Sequence, residues 1–259
     1  MDTGCSSRDG VVRLFRIMAG NMNVTLDIVY HSQFYFLPLR TPEGRLFGVE
    51  LITNFVGVDA PVRIPTELIS PYITPEQELK LFREKLSLLV NHQDFFKAQQ
   101  LVTWLNISEE IVNAIPDTPE LITLIDQLPF LAFTITESFN DLNLGADNLK
   151  LRTFSRRFPL VLANFGAGVI TTKPILDGLF TAVMLDRAFI QKQLHARSFA
   201  PFMLAILSQL TPFCRDMIIA GIDDEAALSK AAPLGFRAMQ GGFWPAVPVD
   251  SLSELILRP

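Results

Sequence analysis

An eight-stranded α/β barrel, a single TIM-like (β/α)8 fold, is what this sequence predicts. Eight short apolar runs alternate with amphipathic stretches, the pattern of a parallel sheet joined by crossover helices. Polar side chains recur at or near the ends of those runs, at Glu50, Asn106, Asp186, Asp223 and Gln240, where barrel enzymes build their sites. At 259 residues the chain has the length of one barrel. A doubly wound open sheet is the alternative, and the recurring polar strand ends favour closure.

Residues 1–21 read as an N-terminal leader ahead of a barrel domain at 22–259. No apolar run precedes Cys5, and Val11–Ala19 carries Arg13 and Arg16, too short and too charged for a secretory core. Met18 and Met22 each offer a start for the same domain; the other reading of the leader is an amphipathic helix that binds a partner. The strand-like runs are Phe34–Leu39, Leu46–Thr53, Leu101–Ile107, Phe130–Thr136, Leu160–Ala163, Ala182–Leu185, Met217–Ala220 and Phe236–Gln240. Between them, Thr74-Pro75-Glu76-Gln77 is a capping box with Pro at the first helical position. Leu79, Phe82, Leu86 and Leu89 then fall on one helix face. Asp223-Asp224-Glu225 reads as an acidic helix start, and Ser251-Leu252-Ser253-Glu254 as a second capping box. No repeat, low-complexity tract or Pro/Gly/Ser-rich linker divides the chain after residue 22.

Composition excludes several functions. Hydrophobic residues are 49% and charged residues 19%, which suits strands buried on both faces. With 22 basic against 27 acidic residues and a net charge of −5, a large nucleic-acid footprint is not expected. No run approaches the ~18 apolar residues of a membrane span. Cys5 and Cys214 form no disulfide framework or metal motif, which fits a reducing cytosol. His31, His92 and His195 lack metal-ligand spacing and read as surface or core histidines.

The most telling stretch is Ala163-Asn164-Phe165-Gly166-Ala167-Gly168. It follows the buried run Pro159-Leu160-Val161-Leu162 and opens a Gly-rich loop, as a barrel strand does when it delivers side chains to a site. The side chains delivered are uncharged and cannot hold a hard divalent cation strongly.

Gly48-Val49-Glu50-Leu51-Ile52-Thr53-Asn54-Phe55 resembles the G-x-E-A-L-x-R-W signature of EAL domains, barrel phosphodiesterases that hydrolyse cyclic di-GMP. Six further segments follow in family order, and the resemblance covers about Asp27 to Val249. The resemblance implies an ancestral two-metal hydrolase in which carboxylates and an Asn hold Mg²⁺ or Mn²⁺. Position by position, it implies that Glu50 and Asn106 are retained metal-ligand positions. Glu137 keeps the acid that braces the neighbouring loop, Asp186 the acid of L-K-I-D, Asp223 a shortened acid, and Gln240 the Gln of Q-G-Y. Asn54 stands in place of a phosphate-side Arg, and Thr134 in place of a metal-binding Glu. Ala163 and Asn164 replace the two acids of D-D-F-G-T-G, Met184 replaces a Lys, and Ala220 the Glu assigned as base or ligand. Asp177 and Asp186 are nearby acids that do not occupy ligand positions. The resemblance thus implies no metal, no cofactor and no catalytic residue.

Within the family the chain is similar to the YdiV type. It shares Val29-Tyr30-His31-Ser32, Pro61-Val62-Arg63-Ile64-Pro65-Thr66, Phe180-Thr181-Ala182-Val183-Met184-Leu185-Asp186 and Gln240-Gly241-Gly242-Phe243-Trp244-Pro245. That resemblance implies a non-enzymatic cytoplasmic regulator that binds the FlhD subunit of the FlhD–FlhC activator and represses flagellar genes and motility. It implies no direct contact with nucleic acid or membrane. A non-hydrolytic cyclic di-GMP receptor and a weak phosphodiesterase are the other readings; Asn54 for Arg and the absent metals disfavour a phosphate ligand. The partner-binding residues are not assigned: Phe95-Phe96, Phe199–Phe202 and Arg156-Arg157-Phe158 are candidates, with core packing or a solvated helix end as the other reading.

Overall fold

The computed structural model describes residues 23–25, 29–57, 63–137, 139–168 and 170–257. The leader at 1–21, Cys5, Asp27, Pro61 and Val62 lie outside the described residues.

Eight strands close into a barrel: β1 (Val29–Arg40), β2 (Leu46–Gly57), β3 (Val102–Asn106), β4 (Leu131–Ile135), β5 (Leu160–Phe165), β6 (Ala182–Leu185), β7 (Asp216–Ala220) and β8 (Ala238–Gln240). Each pairs with the next, and β8 returns to β1 through Met239 opposite Arg40. The expected parallel sheet holds from β2 to β8. The first strand corrects it: β1 runs antiparallel to both neighbours. The reason is the connection. Only the turn at 41–45 separates β1 from β2, which permits a hairpin and is too short for a crossover helix. The β1–β2 hairpin continues past the last parallel pair, Glu50 opposite Trp104, and carries Asn54 beyond it, opposite Gln33 and Pro65.

The principal helices are α1 (Pro75–Asn91), α2 (Glu109–Asp117), α3 (Pro119–Asp126), α4 (Leu149–Arg157), α5 (Arg187–Gln193), α6 (Phe199–Leu210) and α7 (Glu225–Ala231). The first capping box forms as expected: Gln77 N donates to Thr74 Oγ1 at 3.3 Å, and Thr74 N to Gln77 Oε1 at 2.9 Å. Leu81, Phe82, Leu86 and Leu89 then bury against the barrel, each adding roughly 1.5–3 kcal/mol of transfer free energy. The second box is not a cap. Ser251 ends a 3-10 turn and the last helix begins at Glu254, so Glu254 does not stand three residues inside a helix. In the acidic start of α7, Asp224 is the cap, accepting from Ala227 N at 2.7 Å; Asp223 does something else.

Two apolar layers result. One lies between barrel and helices and takes in Phe36, Phe55, Phe96, Phe133 and Phe199. The other fills the barrel itself. Phe202 is exposed and meets Phe189 edge-on, and Arg157, in the last turn of α4, stacks over Phe158.

Candidate functional site

Side chains alternate between the two faces of a strand, so the barrel interior is read off every second residue. The inner apolar layer comprises Leu39, Trp104, Ala132, Val161, Ala163, Ala182, Met184, Ile218, Ala220 and Ala238, all buried. Continuing the alternation by one step puts Asn106 above Trp104, Thr134 above Ala132 and Gln240 above Ala238. The register sets Asn106 opposite Thr134, Met184 opposite Ile218, and Ala220 opposite Gln240. Asn106, Thr134, Met184, Ala220 and Gln240 therefore converge on one mouth.

Polar atoms there are few, and most of those described are engaged. Gln240 Nε2 donates to Glu50 Oε2 at 3.0 Å across the β8–β1–β2 seam. Asn106 Nδ2 donates to the carbonyl of Thr134 at 3.4 Å. Thr134 is fully buried, and its hydroxyl has no hydrogen-bond partner among the described residues. Ala163, Met184 and Ala220 present only methyl, methylene and thioether groups. This donor set does not fit Mg²⁺ or Mn²⁺, which need a near-complete shell of oxygen ligands. Among the described residues no three His, Cys, Asp or Glu side chains gather as a metal cluster.

The rim loops are shaped for other ends. Asn164 sits at φ 59°, a left-handed conformation that Asn tolerates better than most residues. The β5–β6 ladder is irregular between Leu162 and Phe165, so the chain turns there as it leaves the barrel. Gly166 follows at φ 105°, a torsion that favours glycine, and a Cβ there would press on the Phe189 ring at 3.0 Å.

Asp186 has a structural task. It caps α5, accepting from Phe189 N at 2.7 Å. Asp223 ties three rim segments together. Its Oδ2 accepts from Arg187 at 2.8 Å and from Gln191, and its Oδ1 accepts from Gly242 N at 2.7 Å. Burial pushes the Asp223 carboxyl up, but the bonds from Gly242, Arg187 and Gln191 outweigh it and hold the pKa below its ordinary value. Asp177 is committed elsewhere, to Lys173 Nζ at 2.6 Å and Ala146 N at 2.8 Å. Glu137 is half-buried just past β4. Beside Asn106 opens a cleft of about 330 Å³ lined in part by Thr66, Lys85, Ser108 and Glu110.

Sequence reasoning missed Arg187 and Gln191, the partners of Asp223. Their position one and five residues after the strand-end Asp186 was the available signal. It also missed Trp104, which fills the barrel interior below Asn106.

The EAL domain family matches residues 31–246, the whole barrel. This chain belongs to the EAL domain family. A curated relative from Salmonella paratyphi B, named anti-FlhC(2)FlhD(4) factor YdiV, is 46% identical over 237 residues, covering 92% of this chain and 100% of the relative. One from Escherichia coli K12, named putative anti-FlhC(2)FlhD(4) factor YdiV, is 43% identical over 237 residues with coverage of 92% and 100%. The crystal structure of EAL-like domain protein YdiV superposes with a TM-score of 0.82 at 43% identity, covering 88% of this chain and 97% of that one. The EAL barrel of this chain thus carries a mouth in which Glu50, Asn106, Thr134 and Gln240 are polar while Ala163, Met184 and Ala220 are apolar.

Proposed function

We propose that this chain is a non-catalytic EAL-type regulator that binds the FlhD subunit of the FlhD–FlhC transcription activator and represses flagellar gene expression in the cytoplasm. The partner follows from relatives that carry the anti-FlhC(2)FlhD(4) name along their full length. The loss of catalysis rests on one observation: Ala163, Met184 and Ala220 belong to the apolar packing of the barrel interior. Removing a single general base lowers a rate by roughly 10²–10⁴, and here ligand, lysine and base positions are apolar together. Glu50, Asn106, Glu137, Asp186, Asp223 and Gln240 are read as remnants. Three of them hold the fold: Gln240 braces Glu50, Asp186 caps α5, and Asp223 knots the rim.

The cyclic di-GMP receptor is the weaker reading. Glu50 would bring a negative charge toward the phosphates, Asn54 offers no guanidinium, and Arg187 is already paired with Asp223. A pull-down of the tagged chain against FlhD, FlhC and their complex tests the proposal. Retention of FlhD alone and of the complex is expected. Failure to retain FlhD at micromolar concentration removes it.

A further inference from the structure

On the outer side of β1, the C-terminal segment leaves a cavity of about 270 Å³. Its walls include Pro38, Arg40, Phe243, Trp244, Pro245 and Glu254. The chain is held there by Val247 opposite Phe36 and Pro248 opposite Tyr35. The wall is largely aromatic and prolyl, with a guanidinium set into it.

Arg40 is the unusual member. Only 3% of it is exposed. Its Nη1 donates to Gly44 O at 2.9 Å and its Nη2 to Leu255 O at 2.9 Å. Its Nε is buried with no acceptor among the described residues. Two carbonyls answer two of five N–H donors, and no carboxylate among the described residues pairs with the charge. A buried cation without a counter-charge is strongly unfavourable, so buried arginines ordinarily meet an acid. Here Arg40 is one of the residues that line an open volume instead. Planar bidentate recognition of a carboxylate is what the guanidinium does best. The volume admits a ligand of roughly ten non-hydrogen atoms.

We propose that this cavity is a binding site for a small organic carboxylate with an aromatic or branched apolar body, its carboxylate on Arg40 and its body against Phe243, Trp244 and Pro245. Nothing in the regulatory reading requires this site, and it stands independently of that reading.

Nuclear magnetic resonance of the full chain tests it through the indole N–H of Trp244, assigned against a Trp104→Phe variant. Benzoate, benzyl alcohol and sulfate are titrated separately. Benzoate is expected to shift the resonance saturably, with benzyl alcohol requiring at least about tenfold higher concentration. Arg40→Met is expected to abolish that preference. Phe243→Ala, a partly exposed position, is expected to weaken both aromatic probes, and it carries the test if Arg40→Met does not fold. Equal responses to benzoate and benzyl alcohol, sulfate acting as readily as benzoate, or no saturable shift at millimolar benzoate each overturns the proposal.

Discussion

Replacing Ala163 by Asp puts back an acid where the D-D-F-G-T-G motif of active relatives has one, into packing that now opposes it. Ala163 is 3% exposed and packs with Trp104, Met184, Ala220 and Ala238 in the barrel interior. No side chain in that layer offers a positive charge, and Glu50 lines the same mouth. An unpaired carboxylate in such surroundings has its pKa raised by up to roughly 3–5 units. At about 1.4 kcal/mol per unit, and with the cost capped once the folded carboxyl keeps its proton, this destabilises the fold by about 4–5 kcal/mol at pH 7.5. The site lies near the rim rather than mid-barrel, so the lower end, about 4 kcal/mol, is expected; whole domains have only about 5–15 kcal/mol. Urea denaturation followed by circular dichroism at pH 7.5 and pH 5 measures this. The native state of the variant binds a proton that the unfolded chain has released, so its stability rises as pH falls through the raised pKa. The gap from wild type should therefore narrow at pH 5. Added Mn²⁺ should not close it, because Thr134, Met184 and Ala220 supply no carboxylates. A variant within about 1 kcal/mol of wild type at pH 7.5, or one rescued by Mn²⁺, would refute the reading of the mouth as converted core.

Three further outcomes rest on the same geometry. Asn164→Gly should match or exceed wild-type stability and Asn164→Val should lose about 1–2 kcal/mol, measured by the same urea titration, because φ 59° suits glycine and strains a β-branched residue. Asp223→Ala should lose about 1–3 kcal/mol at pH 7 through the freed Arg187, Gln191 and Gly242 donors. Since the folded carboxyl is held below its ordinary pKa, that contribution is present at neutral pH and disappears as pH falls through the folded pKa, so wild type and variant should converge in acid. In a Cys5→Ser background, Cys214 should resist a thiol reagent at pH 8 until the protein is unfolded. Burial, then the charge of Asp216, raise its pKa from 9.0 to about 11. The native state keeps that proton longer than the unfolded chain, so stability should decline as pH rises from 9 toward 11.

The barrel was legible because its strands are short, apolar and regularly spaced, and the α1 cap because Thr74 and Gln77 stand at the right separation. The reversed β1 was less so. Its apolar run looks like the others, and only the brevity of 41–45 tells that no helix intervenes. That Asn106, Thr134, Ala163, Met184, Ala220 and Gln240 share one face was legible through a single alternation rule at the strand ends. The tasks of Asp186 and Asp223 were not. An acid at a strand end serves equally as ligand or helix cap, and the backbone N–H that decides between them belongs to a residue three positions on, Phe189, or nineteen, Gly242. Ser251 shows the converse, a capping pattern without a helix long enough to use it.

The central claim, an EAL barrel that acts by holding a protein rather than by hydrolysis, is tested most directly on promoter DNA. Purified FlhD–FlhC bound to its target promoter is titrated with this chain in the presence of EDTA, and the DNA complex is followed by electrophoretic mobility. Stoichiometric loss of the DNA complex is expected with no divalent cation and no nucleotide present. A DNA complex that persists at excess chain, or that is lost only when Mn²⁺ or cyclic di-GMP is supplied, would contradict it.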